Sequence, residues 1–438
     1  MTARIGVRPL VLVLLDGWGI RAEREANALA EARTPVYDRL AGSGLHTVLA
    51  ASGEAVGLAS GKPGTAQANY MTLGAGRVVE QDILRINRAI QDQGARGLAA
   101  NPVLQKLIHR VRPLGGAVHL IGTISPGAVA GHQQHLAVLA ALLSHEGMKV
   151  WVHGVLDGID ARPRGGVDYF AEFMDDIAGA EHAALGSLMG RAYAFDETPD
   201  QTLAKTAFKA LAFADAPRVE YPSAHIGQCH AKALDDDRVT PVITQNYSGI
   251  RRDDAVFLVN LHPEIGAGLM RQLLGDETGD LLSAACALTE LDGDGLGRVE
   301  TLFERQPVPS TLSETLSAAG LSQLLLTETV AEKNLSLFLR GGVERIYDGE
   351  TIGVAETPLA KIEKRPELAA PDLIAEAIET VRKGERDFLV VNLANVAVLG
   401  RTGHLRATVE AAEAIDKLLG KLAAQVEKHG GLLAITSP

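Results

Sequence analysis

The run Val11 to Leu15 is continuously apolar and stops abruptly at Asp16-Gly17, and no other feature constrains this chain as strongly. A strand with apolar side chains on both faces needs cover above and below, which is the situation of a central strand in a parallel sheet. The same signature recurs at Ala117 to Ile121, Val150 to Val152, Ala255 to Asn260, Leu335 to Leu339, Phe388 to Asn392 and Leu432 to Ile435. Helical patterns lie between these runs, at Pro102 to Val111, His135 to Ser144, Pro371 to Lys383 and Ala407 to Glu427. Strand and helix in alternation predict an α/β fold with parallel sheets and crossover helices.

At 438 residues the chain exceeds one ordinary core, so two domains are expected. Its 46% hydrophobic and 22% charged residues are the composition of a folded globule, not of a disordered chain. Two glycine-rich stretches read as hinges, Gly74-Ala75-Gly76-Arg77 and Thr289 to Gly297. They predict a discontinuous domain of residues 1–76 and 293–438, interrupted by an inserted domain of residues 77–292. Asp292-Gly293-Asp294-Gly295 resembles part of a calcium loop but lacks its spacing and terminal Glu, and reads as a solvated linker.

A net charge of −12 argues against a general nucleic-acid binder, while leaving room for a locally basic pocket. The two cysteines, Cys229 and Cys286, have no metal-ligand spacing and read as buried small hydrophobes in a reducing compartment. No apolar run reaches the ~18 residues of a membrane span. Pro9 to Leu15 is too short for a signal peptide and runs into Asp16 without a cleavage site, so a cytoplasmic protein is expected.

Nine short pieces stand in order along the chain. They are Leu15-Asp16-Gly17-Trp18-Gly19, Asn27-Ala28, Arg33-Thr34-Pro35, Ala51-Ser52-Gly53 with Val56-Gly57-Leu58, and Leu73-Gly74-Ala75-Gly76-Arg77 with Gln81-Asp82. Asn101-Pro102-Val103-Leu104, Leu156-Asp157-Gly158 with Asp160, Gly190-Arg191 with Tyr193-Ala194 and Asp196, and Gly341-Gly342-Val343-Glu344 complete them. In this order they resemble the bacterial cofactor-independent (2,3-bisphosphoglycerate-independent) phosphoglycerate mutases of the alkaline phosphatase superfamily. The resemblance implies an alkaline-phosphatase-like parallel-sheet domain with a second α/β domain inserted. It also implies a serine nucleophile, two manganese ions that activate it, and arginines with a lysine that hold a phosphoglycerate.

Set against that pattern, most site positions differ. Asp16 matches the first metal ligand; the bland alternative is a cap on the turn to Gly17. The nucleophile motif reads Pro63-Gly64-Thr65-Ala66-Gln67-Ala68-Asn69-Tyr70, which puts Ala66 at the serine. In the archaeal register Thr65 takes that place instead, as a nucleophile or as a helix-capping hydroxyl. The metal-ligand Asp and His fall at Ala397 and Arg401. The final strand is followed only by Thr436-Ser437-Pro438, so an Asp-His pair and a later histidine are expected to be missing and a groove left open.

On the substrate side the family histidine falls at Ala130 and the Arg-Asp pair at Ile159-Asp160. Further arginines fall at Glu197, His262 and Ile265, and the lysine at Ala331 with Lys333 close by. Asp160 and Arg191 remain, either as a pocket for a small acid or as an internal pair. His132 and His135 match histidines outside the metal set and are expected to cap a helix or lie on the surface. The expectation is therefore a catalytically degenerate family member, a pseudoenzyme without a cofactor where its relatives use Mn. It would act by binding another protein or a small acidic or phosphorylated ligand, and not nucleic acid or a membrane. The alternative is an active phosphoryl-transfer enzyme using Thr65 with altered or partner-completed metal chemistry.

Overall fold

The computed structural model describes residues 9–43, 45–195, 201–275 and 277–438. The chain divides into two compact units, Met1–Glu80 with Gln306–Pro438, and Gln81–Arg305. Thirteen strands occur among the described residues: β1 Leu10–Leu15, β2 Ala117–Ile124, β3 Lys149–Leu156, β4 Ala183–Gly190, β5 Arg218–Val219, β6 Val242–Thr244, β7 Ala255–Val259, β8 Ala284–Thr289, β9 Glu300–Phe303, β10 Gln323–Glu328, β11 Glu350–Ala355, β12 Phe388–Leu393 and β13 Leu432–Thr436. No helix among the described residues is long and apolar enough to cross a membrane.

In the first unit the strands lie in the order β11-β10-β12-β1-β13, all parallel. The side chains of β1 alternate between two cores, which is why its run is apolar throughout. Val11, Val13 and Leu15 pack with Leu373, Ile374 and Ala377 of the helix Ala370–Lys383 and with Ile415, Leu419 and Leu422 of the helix Leu405–Lys428. Leu14 points the other way, into a cluster with Tyr70, Leu325, Val390, Leu335 and Leu339. Tyr70 comes from the helix Ala66–Ala75, and Leu335 from a π-helical segment, Asn334–Phe338. These two approach so closely at Gly74 that a Cβ there would lie 1.9 Å from the Leu339 carbonyl oxygen.

The π-helical segment corrects the expected strand at Leu335 to Leu339. Leu335 and Leu339 are both fully buried, one helical turn apart, against Tyr70. A short apolar run does not distinguish a strand from a buried helical turn. The strands that do lie in this part of the sheet are β10 and β11.

The second unit carries an eight-stranded sheet, β5-β6-β4-β3-β2-β7-β8-β9, parallel except where β4 meets β6. Strand β2 is buried along its whole length, between two large cores. The stretch Thr289 to Gly297, expected as a linker, instead joins the neighbouring strands β8 and β9. Arg305 holds it at Asp292, 2.9 Å, and the Arg271 guanidinium lies against Gly293. The units accordingly change over at 80/81 and 305/306, not at 76/77 and 292/293.

Candidate functional site

Parallel sheets gather ligands at the carboxyl ends of their strands. In the first unit those ends bring Asp16, after β1, near Asn392 of β12 and Glu328 of β10. The turn after Asp16 needs Gly17, whose φ is +79° and whose Cβ would lie 2.7 Å from the Ala397 nitrogen. Ala397 N–H in turn donates to the Asp16 carbonyl at 3.1 Å. The position expected for a metal-ligand Asp is thus packed against the Asp16 turn as an alanine.

The Asp16 carboxylate is 8% exposed and already partnered. The Tyr70 hydroxyl hydrogen-bonds Oδ1, and the Asn334 amide donates to Oδ2 at 3.1 Å. Tyr70 also lies 2.7 Å from Asn392 Oδ1, and the Asn392 amide donates to Thr327 Oγ1 at 3.3 Å. One hydroxyl hydrogen cannot serve both Asp16 and Asn392. When Asp16 is protonated, its O–H donates to Tyr70 and Tyr70 donates to Asn392, so every member is matched. Burial pushes Asp16 up to about 6, against the lowering pull of Tyr70, Asn392, Asn334 and the Arg401 charge. Burial, with Asp16 beside it, raises Tyr70 well above its ordinary value. Glu328 is raised too, by burial first, and its Oε1 has no hydrogen-bond partner among the described residues.

Thr65 sits at the N-cap of the helix Ala66–Ala75, where its Oγ1 accepts from Ala68 N–H at 3.1 Å. Ala66 is exposed at the start of that helix, and Ala331 is buried in the turn before Lys333 and Asn334. A cavity of about 480 Å³ opens beside the Asp16–Gly17 turn, walled by Trp18, Ile20, Tyr37, Val48, Leu49 and residues 435–438. No residue lining it is charged.

In the second unit the two retained polar residues are engaged in the protein's own structure. Asp160 Oδ2 accepts from the N–H groups of Ala128 and Val129, each at 2.8 Å, and so shapes that loop. Arg191 Nη1 pairs with Asp157 Oδ1 at 2.5 Å. Burial and the neighbouring Asp160 push Asp157 up to about 7. Burial works to raise Asp160 as well, but hydrogen bonds from Asp157, Val129 and Ala128 hold it below the usual range.

His132 caps the helix Gln133–His145, accepting from Gln134 N–H at 3.2 Å. His135 is not at the surface: it is 2% exposed, and its Nε2 meets Asn87 Oδ1 at 2.7 Å. Burial drives it down to about 3. It lies on the core face of its helix, beside the fully buried Leu136 and Leu139. Ala130 is buried; Asp196 and Glu197 lie outside the described residues. Cys229 and Cys286 are free and buried.

Tyr70, Asn334 and Asn392 were not singled out from sequence as site residues. Tyr70 is the last residue of the nucleophile-motif stretch Pro63 to Tyr70. Asn334 was hidden by reading the segment after it as a strand.

A family model described as "Metalloenzyme superfamily" matches residues 8–437. The chain is therefore a member of that alkaline-phosphatase-like superfamily. The 2,3-bisphosphoglycerate-independent phosphoglycerate mutase of Rhodopseudomonas palustris is 33% identical over 98% of this chain and 86% of its own length. That of Gluconobacter oxydans is 32% identical over 100% and 86%. A crystal structure of Leishmania mexicana phosphoglycerate mutase at low cobalt concentration aligns with TM-score 0.81 and 24% identity, over 98% of this chain and 82% of that one. The chain belongs to the 2,3-bisphosphoglycerate-independent phosphoglycerate mutase family.

The residues at the carboxyl edge of the first sheet do not fit a pair of divalent metals. Among the described residues no three His, Cys, Asp or Glu side chains form a group that could hold a metal ion. Both Asp16 oxygens are already engaged in hydrogen bonds, with Tyr70 and Asn334, and the Arg401 charge acts on the same carboxylate. Two adjacent dications need several carboxylates to offset their repulsion.

Proposed function

We propose that this chain is a catalytically degenerate member of the mutase family that works by binding and not by phosphoryl transfer. One observation carries the reading. The Asp16 carboxylate, which the chemistry would place on a metal, is enclosed by Tyr70, Asn334 and, through Tyr70, Asn392. Phosphoryl transfer relies almost wholly on positioning and electrostatic stabilisation, and this arrangement offers neither the carboxylates that would hold a dication nor an activated hydroxyl. A protein partner is favoured over a small phosphorylated ligand, because Arg191 pairs with Asp157 and Asp160 is committed to the Ala128–Val129 loop. The protein works in the cytoplasm.

An active mutase or related phosphotransferase, using Thr65 with altered or partner-completed metal chemistry, is the second reading. Its support is the likeness to mutases across 98% of the chain. A coupled assay with 3-phosphoglycerate in manganese or cobalt separates the two, alongside metal analysis of the purified protein. No turnover and no bound metal are expected. Turnover within about a hundredfold of an ordinary enzyme's ~10 per second, abolished by Asp16→Ala, would overturn the degenerate reading.

A further inference from the structure

A chain of four polar side chains crosses the core of the second unit. Asp254, just before β7, meets His119 of β2, with Oδ2 to Nε2 at 3.1 Å. His119 Nδ1 lies 3.0 Å from Nε2 of His153 on β3. His153 Nδ1 lies 2.8 Å from Ser187 Oγ on β4. The imidazole planes are 9° from parallel with centroids 5.2 Å apart, the edge-to-edge placement that an N–H···N bond between them requires. A register shift between Val152 and His153 sets Ser187 directly opposite His153, passing over Gly186, where a Cβ would touch the imidazole at 3.0 Å.

His119, His153 and Ser187 are fully buried, and Asp254 is 5% exposed. Buried to this degree, each ring nitrogen must find its complement within the core. Asp254 is fixed as an acceptor by the N–H groups of Ala117 and Arg251, both at 2.7 Å. His119 must therefore donate from Nε2. Two proton arrangements are then self-consistent.

In the first, His119 is neutral and its bare Nδ1 accepts from His153 Nε2–H. His153 Nδ1 then accepts from the Ser187 hydroxyl. In the second, one more proton sits on His119 Nδ1, which donates to His153 Nε2. The hydrogen on His153 Nε2 passes to His119 along their bond, the Ser187 hydroxyl hydrogen passes to His153 Nδ1, and the added proton re-forms the hydroxyl, whose oxygen now accepts from His153 Nδ1–H. The Tyr247 oxygen, 3.4 Å from His119 Nδ1, becomes a second acceptor there, while its own hydrogen stays on the Leu211 carbonyl.

We propose that Asp254, His119, His153 and Ser187 form a one-proton switch. A single proton gained by His119 reverses every hydrogen bond from His119 to Ser187, across three strands of the sheet. The surroundings suit it. Tyr247 and Asp254 are the titratable groups that face the rings. Lys205 and Lys209, on the helix packed over this face, are exposed, and Lys149 lies over the Trp151 ring at 4.8 Å. Arg251 directs its guanidinium to Ser248. The added charge is assigned to His119 because it is His119, not His153, that meets the Asp254 carboxylate; burial, and then the charge His119 would carry, hold His153 well below its ordinary range.

The test is nitrogen NMR of the full chain labelled at histidine, titrated from about pH 8 to about pH 5, where imidazoles exchange protons. At the alkaline end both rings should carry hydrogen on Nε2 only. On acidification His119 should gain Nδ1–H while His153 exchanges its Nε2–H for an Nδ1–H, at one shared midpoint. Separate midpoints, a doubly protonated His153, or no change in either ring would each overturn the proposal. Ser187→Ala adds a second check. It leaves His153 a bare lone pair in the neutral arrangement but an orphaned N–H in the protonated one, and a buried orphaned N–H is the rarer, costlier state. The shared midpoint should move to lower pH; an unchanged or raised midpoint would refute the assignment of Ser187 as the terminal partner.

Discussion

Replacing Asp16 with asparagine should stabilise the first unit at neutral pH, the opposite of what the loss of a working metal ligand does. The argument begins with burial. Asp16 is 8% exposed, and its folded-state value is about 6 against an ordinary 3.8. A folded value raised above the unfolded one means that the folded protein holds a proton the unfolded chain releases between those pH values. Stability from this group is therefore complete below about pH 4 and is lost as pH rises through about 6. A shift of roughly two units corresponds to about 3 kcal/mol, so at pH 7 the ionised carboxylate costs up to that amount. Asparagine carries the neutral form at every pH. Its NH2 takes the place of the O–H toward Tyr70 while its carbonyl still accepts from Asn334, and fitting an amide where the carboxyl group sat costs at most about one hydrogen bond, ~1 kcal/mol. The expected gain at pH 7 is thus about 1–2 kcal/mol, vanishing by about pH 4 to 5. The two tryptophans make this measurable, because Trp18 lies in the first unit and Trp151 in the second. In a Trp151→Phe background, urea unfolding followed by fluorescence reports Trp18, which is 5% exposed and packed 5.1 Å from Tyr37. Destabilisation at pH 7, or a gain undiminished at pH 5, would refute the reasoning.

Asp416→Ala should cost the first unit about 1–2 kcal/mol by the same Trp18 measurement, since Asp416 accepts from Tyr37 N–H at 2.7 Å and Val36 N–H at 3.2 Å and so caps the helix Pro35–Ala41. An unchanged urea midpoint would show that the cap contributes nothing. Asp160→Ala should raise amide exchange at Ala128 and Val129 roughly tenfold, the equivalent of about 1.4 kcal/mol of lost hydrogen bonding. If those amides exchange at the wild-type rate, the loop is held by something other than this carboxylate.

Several strands buried on both faces were legible, although β8 and β10, buried as thoroughly, were not. Runs such as Val11 to Leu15 and Phe388 to Asn392 contain little but apolar residues because each side chain must enter one core or the other. Strands β4 and β11 are harder to read because small residues interrupt them, as in AALGSLMG and ETIGVA, and β11 lies at the sheet edge with only Glu350 buried. The Ser187-His153-His119-Asp254 chain was invisible for a different reason. Its members are separated by 34, 34 and 135 residues, so no local spacing announces them. Only the register of the parallel sheet makes them neighbours.

The Asp16 surroundings show the same division at the site itself. Motif order was enough to mark Ala66, Ala397 and Arg401 as positions where a metal-binding relative would carry other chemistry. It could not say what replaces that chemistry, because the answer comes from residues 54 and 318 positions away, Tyr70 and Asn334. A group of carboxylates around one point needs cations, whereas a single buried carboxylate needs only a proton and donors. With alanine at 397 and arginine at 401, Asp16 is in the second situation, and Tyr70, Asn334 and Asn392 supply partners of the required kind. Returning a dication to this point would take more than restoring one ligand. A carboxylate at 397 would have to fit where Ala397 packs against the Gly17 turn, with Tyr70 displaced from Oδ1 and the Arg401 charge removed. The three changes are coupled through the same carboxylate, so Ala397→Asp alone adds an uncompensated charge beside Asp16 and should lower stability without creating a manganese site.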